Sequence, residues 1–243
     1  MNDESNFGFY ILRTVLTMEQ NEYWIHCYNC IRFYHPTSPI IIINNQCIPN
    51  LVSSLPIEDE NISVIEPEYS CCGPIMPYFY FYKNRPFDIA VFLQDTMFLQ
   101  TKLELNQFRG MKFLWKDNDH QNEIDPFHQR LILLLRNHVP IWNLSCRPDN
   151  WTNCFSGMTI CHWDAINQLQ NAFHIFSISH AITVLEDQKA WNRVFSMCCH
   201  VLGLVEPMTA SVFGEIHTNQ YSWHDYIVDK ETNITMKPIV FIV

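Results

Sequence analysis

The chain contains the run Pro39-Ile-Ile-Ile-Ile-Asn-Asn45. Four consecutive β-branched isoleucines leave no polar position for solvent, which is typical of a strand covered on both faces in a parallel sheet. A shorter apolar run, Phe9–Leu12, precedes it and ends at Arg13-Thr14. Between the two runs, apolar and aromatic residues recur at helical spacing from Glu19 onward, until Pro36 stops the pattern. This order predicts a β-α-β unit whose second strand is central in the sheet.

The alternation of strands and helices continues along the chain. We predict strands at Ile62–Ile65 and Ile89–Leu93 on either side of an aromatic-rich helix at Met76–Tyr82. The second half is less regular. Its predicted strands are Met111–Trp115, Cys154–Ile160 and Ile239–Val243, and its predicted helices are Leu131–Leu135, Asp164–Phe173 and Asp187–Cys199, with a loop-rich tail from Val212. Together these elements predict a single α/β domain with a mostly parallel central sheet flanked by helices.

The charge of the chain argues against nucleic acid as a partner. The sequence has 15 Lys and Arg against 25 Asp and Glu, a net charge of -10, and no basic run or stripe. Binding to phosphate backbones needs clustered cations. The sequence also lacks a GxGxxG or P-loop motif, which argues against a dinucleotide-dependent dehydrogenase and a phosphate-cradling kinase.

The amino terminus indicates an intracellular protein. Residues 1–9 contain no basic segment followed by an apolar run, so no secretory signal is visible, and we expect a cytoplasmic location. No apolar stretch approaches the roughly 18 to 20 residues of a transmembrane helix, so we expect no transmembrane segment. The ten cysteines are then expected to be reduced packing residues, and the oligomeric state is open.

Polar residues follow the ends of three predicted strands. Because the carboxyl ends of parallel strands meet at one edge of a sheet, we expect a shared ligand cleft there. The residues concerned are Arg13, Thr14, Asn44, Asn45 and Asp95. A carboxylate at Asp95 could hold Mg²⁺ or Mn²⁺ against a diphosphate, since these cations prefer oxygen ligands. The alternative is an aspartate that only caps the turn after its strand.

Three further candidates have a structural explanation beside the functional one. Asp117-x-Asp119 is the only Asp-x-Asp of the chain, but its hydrophilic loop favours solvated charges over a metal site. Glu186 and Asp187 precede a helix, where a carboxylate either caps the helix or acts as a general base. His217 is a metal ligand only if other ligands accompany it.

A series of short motifs gives the chain a family resemblance. They are Phe9-Tyr-Ile-Leu-Arg-Thr14, Pro39-Ile-Ile-Ile-Ile43, Tyr78-Phe-Tyr-Phe-Tyr-Lys83, Pro86-Phe-Asp-Ile-Ala-Val91 continuing to Asp95, Cys154-Phe-Ser-Gly-Met158, Asn192-Arg-Val-Phe195 and Ser211-Val-Phe-Gly-Glu-Ile-His217. In this order the chain resembles GT-A-type glycosyltransferases encoded by large DNA viruses, the chlorella-virus enzymes among them. The resemblance extends from about Phe9 to Tyr226.

The resemblance implies a GT-A-like, Rossmann-like fold that transfers a sugar from a nucleoside-diphosphate sugar to a hydroxyl of a glycan or other acceptor. Residues 8–100 would form the nucleotide-sugar half and residues 101–243 the acceptor half. The protein would be located in the host cytoplasm. The resemblance implies that Asp95 and His217 bind Mn²⁺ or Mg²⁺. Arg13 and Thr14 would contact the nucleotide, Asn44 and Asn45 its base or ribose, and Gly73 would let the backbone approach the donor closely. Asp187 would be the catalytic carboxylate, with Glu186 as the alternative.

The chain also departs from the pattern of that family. Asn44, Asn45 and Asn192 stand where the family tends to have acidic residues. An alternative hypothesis is therefore a catalytically weakened module that binds a nucleotide or glycan without transferring a sugar.

Overall fold

The structure is a computed structural model that describes residues 6–54, 59–68, 72–105, 108–117, 125–205, 211–231 and 239–242. Its strands are β1 (Phe7–Arg13), β2 (Ile40–Asn44), β3 (Ile62–Ile65), β4 (Ile89–Gln94), β5 (Met97–Leu99), β6 (Met111–Phe113), β7 (Lys116–Asp117), β8 (Asn153–Cys154), β9 (Thr159–His162), β10 (Gln220–Tyr221) and β11 (Ile239–Ile242). Its α-helices are α1 (Met18–Tyr34), α2 (Ile75–Asn84), α3 (Pro126–Leu134), α4 (Val139–Ser145), α5 (Trp163–Phe173), α6 (Leu185–Val201) and α7 (Trp223–Glu231).

A six-stranded sheet organises these elements, in the order β3-β2-β1-β4-β9-β6. The four strands from β3 to β4 are mutually parallel, and β9 runs antiparallel to both of its neighbours. Strand β1 therefore lies between β2 and β4, and the three strands end at the same edge. The predicted fold class, an α/β fold with a mostly parallel central sheet flanked by helices, is confirmed.

The isoleucine run of β2 is buried on both faces of the sheet. Ile41 and Ile43 belong to a core cluster with residues of α2, α5 and α6, whereas Ile40 and Ile42 belong to a second cluster with residues of α1. Alternating side chains of a strand point to opposite faces, so an unbroken apolar run supplies both cores.

Helix α1 begins and ends where the sequence predicts. The side chain of Thr17 caps it by accepting a hydrogen bond from the Gln20 N–H, and the helix stops two residues before Pro36. Trp24, Cys27 and Ile31 are buried on its inner face. The spacing of these three residues places them on one side of the helix, which covers the sheet.

One predicted strand of the second half is divided in two. Cys154 pairs in β8 with β7, whereas Thr159–His162 forms β9 in the main sheet. Between them Ser156 and Gly157 have φ angles of 49° and 64°. These left-handed conformations are not extended, so they interrupt the strand at this point. The prediction of one continuous strand at Cys154–Ile160 was therefore wrong.

The tail contains more regular structure than the sequence predicted. Helix α7 begins after Ser222, whose hydroxyl accepts a hydrogen bond from the Asp225 N–H and donates one to its carboxylate. Tyr226 of α7 is buried, and β11 pairs with β5 and β10. Nine of the ten cysteines are described and all nine are free thiols, whereas Cys71 lies outside the described residues. No helix in the described parts of the chain has the length and apolarity needed to cross a membrane.

Candidate functional site

Two adjoining pockets open at the carboxyl ends of the parallel strands. The first, named the strand-end pocket, has a volume of about 370 Å³ and is lined by Thr14, Asn45, Gln46, Asp95 and Thr96, among others. The second, named the α6 pocket, has a volume of about 280 Å³ and is lined by Asp117, Asn153, Phe155, Lys189, Asn192 and Arg193, among others. Gln94, Leu185 and Gln188 line both pockets, so the two lie side by side, and together they are called the cleft.

Asp95 is a buried carboxyl at the base of the strand-end pocket, with 6% of its surface exposed. It directly follows β4, and its Oδ2 accepts a hydrogen bond of 2.7 Å from the Thr14 N–H at the end of β1. Burial raises the pKa of Asp95 to about 7, against the opposing effects of the Thr14 N–H and the Arg13 charge. Near neutral pH this carboxyl is therefore partly protonated, and it ties together the tips of β1 and β4.

Arg13 and Asn44 lie beneath the pocket and are both almost completely buried. The Arg13 Nε donates a 2.8 Å hydrogen bond to Asn44 Oδ1, and the guanidinium carbon lies 4.6 Å from the centroid of the Trp24 ring. The Asn44 amide in turn donates to a Glu66 carboxylate oxygen. Burial lowers the pKa of Arg13. The Arg13 Nη1 has no hydrogen-bond partner in the portion of the chain that is described.

Thr14 and Asn45 reach the pocket itself. The Asn45 side-chain amide donates a 3.2 Å hydrogen bond to the Thr14 hydroxyl, and the Asn45 N–H donates to the Arg13 carbonyl at 2.7 Å. Of the five strand-end residues named by the sequence, Thr14, Asn45 and Asp95 line the strand-end pocket. Arg13 and Asn44 are not among the described residues that line it, and they precede Thr14 and Asn45 in the chain.

Gly73 lies against the wall that the two pockets share. Its φ angle is +58°, and a Cβ at this position would collide with the side chain of Gln188. Gln188 lines both pockets. The glycine therefore makes room for Gln188 in the cleft, in addition to meeting the backbone requirement of a left-handed residue.

Asp187 caps the helix that carries Gln188. Its Oδ2 accepts hydrogen bonds from the N–H groups of Thr183 and Val184 at 2.9 and 3.2 Å and from the Thr183 hydroxyl at 3.2 Å, and its Oδ1 accepts one from Arg130. Burial acts to raise the pKa of Asp187, but these hydrogen bonds and the Arg130 charge outweigh it and lower the pKa.

Both oxygens of Asp187 are thus engaged inside the protein, and its exposed surface is 1%. Glu186 is exposed, and neither carboxylate is among the described residues that line the two pockets. This geometry is that of a helix cap, the structural explanation given above for the pair.

His217 lies beside two carboxylates. Its Nε2 is 3.7 Å from Asp117 Oδ1 and 4.0 Å from Glu215 Oε1, and one ligand atom from each residue falls within 4.8 Å of the others. Strand β7 creates this proximity, because the Lys116 N–H donates a 3.0 Å hydrogen bond to the Gly214 carbonyl. In an octahedral site with bonds of about 2.1 Å, ligand atoms are about 3 to 4.2 Å apart. The two distances from His217 fall in this range, so the three residues are a candidate site for one small cation.

The cluster differs from the pair chosen from the sequence. Asp95 is not a member of it, whereas Asp117, which its hydrophilic loop led us to set aside, is. Asp119, the second carboxylate of the Asp-x-Asp motif, lies outside the described residues. Two carboxylates and an imidazole suit Mn²⁺ or a similar divalent cation.

Comparisons with known proteins give a structural match only. No protein-family model matches the chain. No curated protein matches its sequence. Among solved structures it is similar to the galactosyltransferase LgtC, determined in complex with donor and acceptor sugar analogues, with 11% sequence identity, a TM-score of 0.45, and coverage of 96% of this chain and 86% of that chain. We therefore infer the roles of the residues from the geometry of the cleft alone.

Proposed function

We propose that the protein transfers a sugar from a nucleoside-diphosphate sugar to an acceptor hydroxyl with the help of a divalent cation. The strand-end pocket would hold the donor and the α6 pocket the acceptor. The observation that carries this proposal is the shared wall of Gln94, Leu185 and Gln188. Transfer requires two substrates to meet at one point, and two pockets that join at a common wall satisfy that requirement.

The lining of the strand-end pocket suits a nucleoside and a sugar. Amide and hydroxyl side chains dominate it, including those of Thr14, Gln20, Asn45, Gln46 and Thr96. Such groups both donate and accept hydrogen bonds, as sugar hydroxyls and base edges do. Arg13 and Asn44 would hold Thr14 and Asn45 in position from beneath, and Gly73 would admit Gln188 to the wall.

A diphosphate in this pocket needs a counter-charge. Among the described lining residues there is no Lys or Arg, and the one charged side chain is Asp95. We propose that Mn²⁺ or Mg²⁺ binds at Asp117, Glu215 and His217. Asp95, to which the resemblance also assigns the metal, lies outside this cluster and would face the cation from the strand-end pocket. When bound, the cation would neutralise charge on the leaving diphosphate.

The protein's own residues would position the reacting groups. Asp95 would hold the Thr14 backbone at the donor site, and Gln94 and Gln188 would line the path between the pockets. Asp187, proposed from the sequence as the catalytic carboxylate with Glu186 as the alternative, would act by fixing the start of α6 and therefore Gln188.

A ligand screen tests the donor assignment. Thermal unfolding would be measured with a set of nucleoside diphosphates and their sugars, each with and without Mn²⁺. A ligand at about a hundredfold over its Kd adds about 2.7 kcal/mol to the free energy of unfolding, which is readily detected. The positive donors would then be tested, with the sugar radiolabelled, for transfer to a mixture of glycan acceptors. If no nucleotide stabilises the protein under either condition, the proposal is wrong.

A second candidate function is a module that binds the donor or a glycan without transfer. It is favoured by the engagement of both Asp187 oxygens and by Asn44 and Asn45, which are amides at the strand ends. Calorimetry separates the two functions. The module would give saturable nucleotide binding with neither hydrolysis nor transfer of the labelled sugar.

A further inference from the structure

The α6 pocket carries positive charge in an acidic protein. Lys189 and Arg193 are four residues apart on α6, so they lie on one face of the helix, and both line the pocket. The chain as a whole has a net charge of -10. Two cations at one cavity therefore form a local field opposite in sign to the rest of the protein.

The two cations differ in how they are held. The Arg193 Nη1 lies 3.1 Å from His128 Nε2 and 3.6 Å from the Oδ2 of Asp125, the residue that caps α3. Arg193 is thus anchored by α3, and its side chain is 25% exposed. Lys189 is exposed, and no ion pair is found for it among the residues that the structure covers. Its ammonium group is available to a ligand.

Two carboxylates oppose these cations. Asp125 lies 3.6 Å from the Arg193 Nη1. Of the described residues lining the α6 pocket, Asp117 alone is acidic, and it belongs to the cluster with Glu215 and His217. A divalent cation at that cluster would offset the Asp117 charge. The field in the pocket would then be set by Lys189 and by Arg193, whose charge Asp125 partly offsets.

We propose that the α6 pocket binds an acceptor sugar that carries a negative group, either a carboxylate or a phosphate. The inference rests on the proposed function, whose acceptor site it defines. Lys189 and Arg193 would bind the anionic group, with Arg193 suited to two parallel hydrogen bonds. The amides of Asn153 and Asn192 and the ring of Phe155 would contact the sugar hydroxyls and its apolar face. A volume of about 280 Å³ suits one or two sugar rings.

Direct binding tests this without turnover. The Kd values of glucose, glucuronate and glucose 6-phosphate would be measured by NMR titration in the presence of Mg²⁺, which is diamagnetic. We expect one or both anionic sugars to bind about tenfold more tightly than glucose, and the two anions distinguish carboxylate from phosphate recognition. The preference for anionic sugars over glucose should shrink as ionic strength rises from about 0.01 M to about 1 M, because the Debye length then falls from about 30 to about 3 Å. Equal affinity for all three sugars, or no binding of any, overturns the proposal.

Two variants test whether Lys189 causes the preference for anionic sugars. Lys189→Gln should weaken the binding of anionic sugars about fivefold and leave the Kd of glucose unchanged. Lys112→Gln, an exposed lysine of β6 outside both pockets, is the matched control and should change neither. An unchanged affinity for both anionic sugars in Lys189→Gln overturns the proposal.

The same variants distinguish this inference from the proposed function. If the two cations instead bind the donor diphosphate, Lys189→Gln weakens the binding of nucleoside diphosphates and not that of anionic sugars. That result overturns the inference but does not contradict sugar transfer. Transfer to neutral acceptors with an equal kcat/KM has the same consequence. If anionic sugars bind through Lys189 but no donor sugar is transferred, the anionic-sugar site is supported, whereas its role as an acceptor site fails together with the proposed function.

Discussion

The Nε2 of His217 lies 3.7 Å from the Oδ1 of Asp117, although the two residues are far apart in the sequence. One backbone bridge creates this relationship. Lys116 pairs with Glu215, and the Lys116 N–H donates a hydrogen bond to the Gly214 carbonyl. Because Asp117 also lines the α6 pocket, the cluster lies at the edge of the cleft. The proposed cation would therefore lie beside the α6 pocket, which shares Gln94, Leu185 and Gln188 with the strand-end pocket.

Removing one ligand of the cluster tests the cation site. We expect His217→Ala and Asp117→Asn each to weaken Mn²⁺ binding by at least about tenfold, since even groups that only orient a metal ligand are worth about 10- to 100-fold. Calorimetric titration with Mn²⁺ measures the effect. Asp149→Asn, at an exposed aspartate outside the cluster, should bind Mn²⁺ as the wild type does. Unchanged binding in both cluster variants would falsify the site.

Asp95 should make the stability of the protein depend on pH. Its pKa of about 7 in the folded state exceeds the unfolded value of about 3.9, so the folded state binds more protons between these values. The free energy of unfolding should therefore fall as pH rises from about 4 to about 7, and this contribution should be constant above pH 7.

Asp95→Asn isolates that contribution, because an amide oxygen still accepts the Thr14 N–H and does not ionise. Urea unfolding without divalent metal would be compared between pH 5 and pH 8. Within this range the linked change runs from pH 5 to about pH 7, so we expect the variant to gain at most about 2.7 kcal/mol of stability relative to the wild type, or about two units at 1.36 kcal/mol each. A difference between the two proteins that does not change with pH would contradict the assignment.

The sequence predicted the parallel part of the fold because its signals are local. The isoleucines of β2 could only be buried, and the polar residues after β1, β2 and β4 had to meet if those strands were parallel. Thr14 and Asp95 do meet, through a hydrogen bond of 2.7 Å.

The cation cluster could not be predicted because it depends on contacts between distant segments. Asp117 occurs in a hydrophilic segment, which locally indicates solvated charge, and the pairing that brings it to His217 involves only backbone atoms. The division of the strand at Cys154–Ile160 has a similar cause. Ser156 has no strong preference for positive φ, so its left-handed conformation is imposed by the surrounding fold.

Gly73→Ala tests how the shared wall is built. An alanine there has an unfavourable positive φ and a Cβ that collides with Gln188. We expect a loss of about 1 to 2 kcal/mol from the backbone and a further 1 to 3, approximately, from the collision. Gly203→Ala is the matched control, since its φ is +63° and nothing lies within 4 Å of its Cβ. Urea unfolding should show the larger loss for Gly73→Ala, and equal losses would mean that Gln188 moves aside without cost.

Asp187→Ala tests whether that carboxylate caps α6 or takes part in the reaction. The substitution leaves the Thr183 and Val184 N–H groups without their acceptor and removes the partner of Arg130. We expect a loss of about 2 to 4 kcal/mol in the free energy of unfolding, whereas Glu186→Ala, at the exposed neighbour, should change it by less than about 0.5 kcal/mol. Because the folded pKa of Asp187 is lowered, its contribution is present above the unfolded pKa of about 3.9 and is lost as pH falls through the folded value. The stability difference between Asp187→Ala and the wild type should therefore shrink in acid. A variant with wild-type stability at pH 7 and no transfer activity would instead identify Asp187 as a catalytic residue.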